Sequence, residues 1–140
     1  MPVSTAIFWP VIAQVLLVHL VYFLMARRRF GAVRSGAAKK QDYLIPTIEP
    51  AASATVARSL INQFELPLLF LIVCTLLYIT AGANTFAVII AWLFVLSRYV
   101  HAFVHVTSNR LMVRQRLFSI GFVLNFILWV WFSLHIAGIA

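Results

Sequence analysis

Four apolar runs constrain this chain more than any other feature of its sequence. A helix needs about 20 residues to cross the hydrocarbon core of a bilayer, and each run reaches or approaches that length. Hydrophobic residues make up 64% of the chain and charged residues only 10%, whereas about a quarter of the residues of a soluble domain are charged. A chain of 140 residues cannot bury so much apolar surface in its own core. Lipid must therefore be the solvent for much of it.

The apolar runs are continuous, which predicts helices, because the strands of a membrane barrel would alternate apolar and polar residues. The N-terminus lacks both a positive region and a small-residue cleavage site, so we expect the first span to be retained. Pro50 suits the first position of a helix, so the second helix could begin near Ala51. We predict an all-α integral membrane four-helix bundle, a single domain over 1–140, with approximate spans 5–26, 62–81, 85–104 and 117–137 and a basic loop over 27–50.

The net charge of +8 is concentrated in two connections between the spans. The cations of these connections are Arg27, Arg28, Arg29, Arg34, Lys39 and Lys40 in the first and Arg110, Arg114 and Arg116 in the other. Neither terminus nor the turn at Gly82 carries Lys or Arg. The positive-inside rule then predicts that both basic loops are cytosolic and that both termini are on the non-cytosolic side. Membrane topology and contact with anionic lipids explain the charge, so we expect no nucleic-acid partner.

Polar residues recur at helical spacing near the inner ends of the second and third spans. The two sets are Arg58, Asn62 and Glu65, and Arg98, His101 and His105. Each set is predicted to share one helix face. Glu65 and His101 stand equally far from the Gly82 turn, about 24 Å at about 1.5 Å per residue. Ionisable groups at such depth usually face a bundle interior or a water-filled cavity. Two interpretations stay open: an ion pair of Glu65 with Arg98 or Arg58, or a pocket for an anionic ligand.

The segment 58–67, read as Arg-Ser-Leu-Ile-Asn-Gln-Phe-Glu-Leu-Pro, resembles the Arg-x-x-x-Asn-x-x-Glu motif of the MAPEG family. These are membrane-associated proteins of eicosanoid and glutathione metabolism. Arg98 with a polar position seven residues later, the exit of the first span at 26–31, and the four-span length also resemble the family. The resemblance covers essentially the whole chain and suggests a bacterial-type member.

The resemblance implies a homotrimer that binds glutathione, as a co-substrate, between neighbouring subunits near the cytosolic face. By the family pattern, the ligands of glutathione would be Arg58, Asn62, Glu65 and Arg98. His101 and His105 stand where conjugating members often carry tyrosine, and either imidazole could bond a carboxylate or thiolate. Arg110 or Arg114 would stabilise the thiolate by opposite charge, and the loop length does not decide between them.

Two functions follow as expectations. The first is a glutathione transferase or peroxidase, which conjugates or reduces a lipophilic electrophile or hydroperoxide in the bacterial inner membrane. The alternative is a non-catalytic MAPEG-fold accessory protein whose Arg, Glu and His cluster is structural, and the two histidines favour it. A transporter is disfavoured because no inverted repeat is visible.

The histidines also raise the question of metal or haem binding. His101 and His105 could ligate a metal from one helix face, and His19 could ligate haem, but no carboxylate or cysteine completes a set on the same helix. We therefore expect no metal. With only Asp42, Glu49 and Glu65 as acids, two-carboxylate chemistry is also excluded.

Overall fold

The computed structural model of the chain describes residues 4–45 and 48–139 and contains five α-helices within those ranges. They are α1 (Phe8–Arg34), α2 (Ala51–Asn62), α3 (Leu66–Ile79), α4 (Thr85–Val106) and α5 (Leu111–Ile136). Short 3-10 turns occupy Thr5–Ile7 and Lys40–Tyr43. Because α2 and α3 form one interrupted passage, four helical segments are long and apolar enough to cross a membrane. The predicted all-α four-helix bundle is confirmed.

Helix α1 extends well beyond the end of its apolar run. The basic cluster at Arg27, Arg28 and Arg29, predicted to open a loop, lies within this helix, which continues to Arg34. At about 1.5 Å per residue its 27 residues measure about 40 Å, against about 30 Å for a hydrocarbon core. The last two turns of α1 therefore reach past the apolar layer.

The second passage is broken between Asn62 and Leu66, and Pro67 supplies the reason. In a continuous helix the Pro67 ring would meet the Gln63 carbonyl, and Pro67 has no N–H to bond it. Proline also disfavours helical geometry at the residue before it. The expectation that Arg58, Asn62 and Glu65 share one continuous helix face is therefore wrong, because Glu65 lies in the break, with φ −91° and ψ −100°.

The main core lies where α3, α4 and α5 meet. The rings of Phe70 and Phe94 stack with centroids 4.3 Å apart. Alanines of α4, among them Ala87 and Ala91, are fully buried beside them and let the helices approach closely. A smaller cluster joins α1, α2 and α4. Large apolar side chains cover the outside of all four passages, as a lipid-facing bundle requires.

The connection of α3 to α4 is a compact turn, and we call this end of the bundle the turn end. The Gly82 N–H donates to the Leu77 carbonyl at 2.8 Å, and the Ala81 N–H donates to the Tyr78 carbonyl at 3.1 Å. This pair of bonds is the Schellman motif, which satisfies helix-end carbonyls. The motif requires a left-handed residue, and Ala81 supplies it with φ +60°.

Side chains of α5 close the turn end from the side. Trp131 donates through Nε1 to the Gly82 carbonyl at 3.2 Å, and His135 Nε2 lies 2.8 Å from the Thr80 carbonyl. The His135 ring fits against Gly82 so closely that a Cβ there would come within 2.5 Å of it. Asn84 caps α4 by accepting the Ala87 N–H at 3.0 Å. The carbonyls of Thr80 and Gly82 are therefore bonded within the protein.

Candidate ligand-binding site

A cavity of about 500 Å³ opens at the opposite end of the bundle, which we call the basic end. It lies among the last turns of α2 and α4 and the first turns of α5. Its lining residues are Arg58, Asn62, His101, His105, Arg114, Gln115, Phe118 and Ser119. We call this space the basic-end cavity. Its volume is typical of small-molecule sites.

The two histidines of α4 form one wall of the basic-end cavity and are both buried, with 2% of their surface exposed. His101 Nδ1 lies 3.2 Å from the Arg114 carbonyl, so this nitrogen donates to it. His105 Nδ1 lies 3.5 Å from the Asn62 amide nitrogen. The two rings meet edge to face with centroids 5.8 Å apart. The predicted shared face of α4 thus points into the bundle and joins α2 to α5.

Arg98 lies deeper than the lining residues and is completely buried. It donates through Nη2 to the Asn62 carbonyl at 3.4 Å, one of the carbonyls that the helix break leaves without an intrahelical partner. Its guanidinium carbon lies 5.9 Å from the centre of the Phe118 ring, which stands on the cavity wall. Among the described residues, Arg98 Nε and Nη1 and His101 Nε2 have no hydrogen-bond partner.

Glu65 does not occupy the position that its spacing predicts. The break at Pro67 leaves it exposed and outside the lining of the basic-end cavity. It stays within Coulombic range of Arg98. Among the described residues the one salt bridge joins Arg29 to Glu49, with Nη2 to Oε2 at 2.6 Å, so the ion pair of Glu65 with Arg98 or Arg58, one of the two open interpretations, is not formed.

The start of α5 contributes the part of the site that sequence reasoning missed. Gln115, Phe118 and Ser119 line the cavity, and they follow Arg114 at spacings that place them on the same helix face. The helix begins at Leu111, six residues before the predicted span at 117, and this earlier start carries Arg114 into the wall. A helical projection started at Leu111 would have found these residues.

The two candidate arginines of the third connection are now distinguished by position. Arg114 lines the cavity, and its Nη1 donates to Asn109 Oδ1 at 2.8 Å. Arg110 is exposed, precedes the first turn of α5 and is not part of the lining.

Gly121 lets α5 approach the buried arginine. A Cβ at this position would lie 3.1 Å from Ser97 Oγ and 3.5 Å from Arg98 Cδ. Only glycine leaves the Arg98 stem and α5 in such close contact without displacement of a neighbour. The glycine therefore helps to hold Arg98 behind Phe118.

The charges around the basic-end cavity favour an anionic ligand. Arg58 and Arg114 are on the wall, Arg98 lies behind it, and no carboxylate belongs to the lining. A positive site in surroundings of low polarity attracts anions strongly. Within the described residues no group of three or more His, Cys, Asp and Glu side chains could hold a metal ion. The arrangement can bind carboxylates and lower the pKa of a bound acid.

Fold and cavity together define a multi-pass helical membrane protein with a cationic pocket at one end of its bundle. The model of the MAPEG family matches residues 6–134. The chain therefore belongs to the MAPEG family. A search of curated proteins found no match, and neither did a search of solved structures.

Proposed function

We propose that this MAPEG protein binds glutathione in the basic-end cavity and activates its thiol for attack on a lipophilic electrophile or hydroperoxide. One observation carries the proposal: within the described part of the chain, a cavity of about 500 Å³ is lined by two arginines and no carboxylate, in front of a buried arginine with unpartnered donors. Glutathione has two carboxylates, one amino group and a thiol, so it is anionic at neutral pH.

The polar groups of the wall suit the parts of this tripeptide. Arg58 offers a planar fork to a carboxylate, and Asn62 can bond a peptide group. His101 and His105 can exchange hydrogen bonds with a carboxylate or amide. Glu65 stands outside the lining, so its expected bond to the amino group requires the ligand to reach past the cavity toward the helix break.

Arg114 is our candidate for the group that stabilises the thiolate, in preference to Arg110. A guanidinium within a few ångströms of the sulfur favours the charged form and lowers the thiol pKa. The thiolate is the nucleophile, so this shift raises the reactive fraction at neutral pH. The protein would add proximity, since the apolar second substrate would reach the sulfur from the bilayer.

The setting of the site is part of the same proposal. The positive-inside rule puts the basic end in the cytosol, where glutathione is abundant, and both termini on the other side of a bacterial inner membrane. The family pattern implies a homotrimer with glutathione bound between subunits. A neighbouring subunit would then cover the open side of the basic-end cavity.

The alternative function is that of a non-catalytic accessory membrane protein, and Arg98 is the observation that favours it. Arg98 is fully buried and bonds the carbonyl at the end of α2, so it already joins two helices without a ligand. His101 likewise joins α4 to α5 through the Arg114 carbonyl. In that case the polar cluster would hold the helix break together.

Glutathione titration of the purified full-length protein in detergent distinguishes the glutathione-binding function from the accessory function. We expect Arg114→Gln to weaken binding about tenfold or more, because a charge-assisted bond contributes about 1.5–3 kcal/mol. Arg116→Gln is the matched control, since Arg116 is exposed on the same turns of α5 and does not line the cavity.

Two further outcomes complete the test. Arg114→Gln should also abolish the fall in thiol pKa, followed by the ultraviolet absorbance of the thiolate. Wild-type protein that is folded and shows no glutathione binding at millimolar concentration would exclude the proposal and leave the structural function.

A further inference from the structure

We propose that a second site, outside the glutathione cavity and beyond the proposed function, binds one anionic phospholipid. A groove of about 390 Å³ runs between the end of α1 and the Lys40–Tyr43 turn. Its lining residues are Met25, Ala26, Arg29, Phe30, Val33, Lys40 and Tyr43. We call it the α1 groove. It shares no lining residue with the basic-end cavity.

The length of α1 places the α1 groove at the level of the lipid headgroups. About 20 helical residues cross the hydrocarbon core, and counting them from Phe8 reaches Arg27. Met25 and Ala26 are then at the edge of the apolar layer, and Val33 stands about two turns beyond it. The groove therefore joins the region of the acyl chains to the region of the phosphates.

The wall of the groove is apolar, although this level of a bilayer is wet. Phe30 lines the groove and is 76% exposed, and Leu44, which follows the lining residue Tyr43 and lies outside the lining, is 75% exposed. Apolar side chains left outside the bundle beside cations are typical of a segment that lies in the membrane interface. An acyl chain against Phe30 and Val33 would cover surface that is otherwise left to water.

The free positive charge at the rim belongs to Lys40. Arg29 is already neutralised, because Glu49 accepts from its Nε at 3.0 Å and from its Nη2 at 2.6 Å, and its guanidinium lies 5.2 Å from the Tyr43 ring centre. Among the described residues, the Arg29–Glu49 pair is the one salt bridge, so no carboxylate is paired with Lys40.

The whole segment 27–50 adds to this attraction, since it has six Lys and Arg side chains against Asp42 and Glu49. Clusters of this sign beside a membrane span attract anionic headgroups. A zwitterionic lipid offers the same chains without net charge. The charges thus select an anionic phospholipid.

Native mass spectrometry of the full-length protein tests the site, with equal amounts of phosphatidylglycerol and phosphatidylcholine in the detergent. We expect wild type to retain phosphatidylglycerol more than fivefold over phosphatidylcholine. Lys40→Gln should lower that preference about fivefold, which corresponds to the loss of one headgroup contact. Lys39→Gln is the matched control, because Lys39 precedes it and does not line the groove.

A second variant keeps the test independent of charge. Ala26→Trp fills the apolar floor and should remove the retained lipid from folded protein, as judged by an unchanged helical circular dichroism spectrum. Equal retention of both lipids by wild type, equal loss in Lys39→Gln and Lys40→Gln, or full retention by Ala26→Trp would each overturn the proposal. A disulfide between subunits in Phe30→Cys would assign the groove to a second copy instead. None of these results bears on glutathione binding.

Discussion

At the turn end, Trp131 and His135 reach from α5 to the carbonyls of the α3–α4 turn and close it by hydrogen bonds. At the basic end, Arg98 and His101 are buried more deeply, but donors and an acceptor on them find no partner among the described residues. A buried polar group without a partner costs about 1–3 kcal/mol. The two ends therefore differ in hydrogen bonding: the carbonyls of the turn are bonded, whereas buried polar atoms at the basic end are left without a partner among the described residues.

Pro67 produces much of this difference. It interrupts the second passage at the basic end, releases the Asn62 carbonyl and makes Arg98 its partner. At the turn end the same passage finishes with a Schellman motif, in which the released carbonyls of Leu77 and Tyr78 are bonded at once by the turn itself. The carbonyls of this passage are therefore bonded within the turn itself at the turn end, whereas at the basic end the Asn62 carbonyl depends on a side chain of another helix.

The largest effect on stability is expected from Gly82→Ala at the turn end. The new Cβ would lie 2.5 Å from the His135 ring, so the ring must move and its contact with Thr80 is lost. We expect the free energy of unfolding to fall by about 2 kcal/mol, as measured by denaturant titration followed by circular dichroism. Gly31→Ala is the control: a Cβ there would meet no neighbouring group of the described residues within 4 Å, and the change should stabilise α1 by about 0.5–1 kcal/mol.

Arg98→Met tests the basic end. The sign of its effect on the free energy of unfolding distinguishes the two functions. If the arginine is held ready for a ligand, the unliganded protein should become about 1 kcal/mol more stable, because a buried charge with unpartnered donors is removed. Stabilisation by glutathione should disappear in the same variant. A loss of about 3 kcal/mol or more without ligand would instead identify Arg98 as a structural link and support the accessory function.

A smaller gain is expected from Ala81→Gly. Ala81 adopts φ +60°, a conformation that favours glycine, whereas the corresponding positions after α1 and α5 are Gly36 and Gly138. We expect the variant to be about 0.5–1 kcal/mol more stable, read from its thermal unfolding midpoint. An unchanged or lower midpoint would mean that the greater conformational entropy of the unfolded glycine variant offsets the relief of backbone strain at position 81.

The smallest effect on stability is expected on acidification, which should weaken the connection 35–50 at the basic end. Hydrogen bonding from Arg29 holds the pKa of Glu49 below its ordinary value of 4.5. A lowered pKa means that the ion pair stabilises the connection above pH 4.5 and that this contribution is lost as the pH falls through the lowered value. The pair is partly exposed, so we expect a few tenths of a kcal/mol at most.

Hydrogen exchange of the connection at a series of pH values measures that loss. Glu49→Gln should remove the dependence, while Asp42→Asn should leave it in place. Identical profiles for wild type and Glu49→Gln would contradict the assignment of the effect to this pair.

Much of the membrane architecture could be predicted from the sequence, because span length and apolar character are local properties. The four passages and the all-α fold were predicted in this way. The face of α4 that carries Arg98, His101 and His105 was also predicted, since a continuous helix fixes their spacing. The start of α5 was missed because polar residues such as Arg114 and Gln115 interrupt the apolar pattern although the helix continues through them.

The sequence by itself determined that the chain spans a membrane with helices and that it keeps cations and histidines at one end of them. Only the tertiary structure decided which of those residues meet. The break at Pro67 places Glu65 outside the lining of the basic-end cavity and without a salt bridge to Arg98, and Gly121 lets α5 pack closely against Arg98. Spacing along a helix fixes a face only while the helix is unbroken, whereas contacts across helices depend on breaks and approach distances that no single segment encodes.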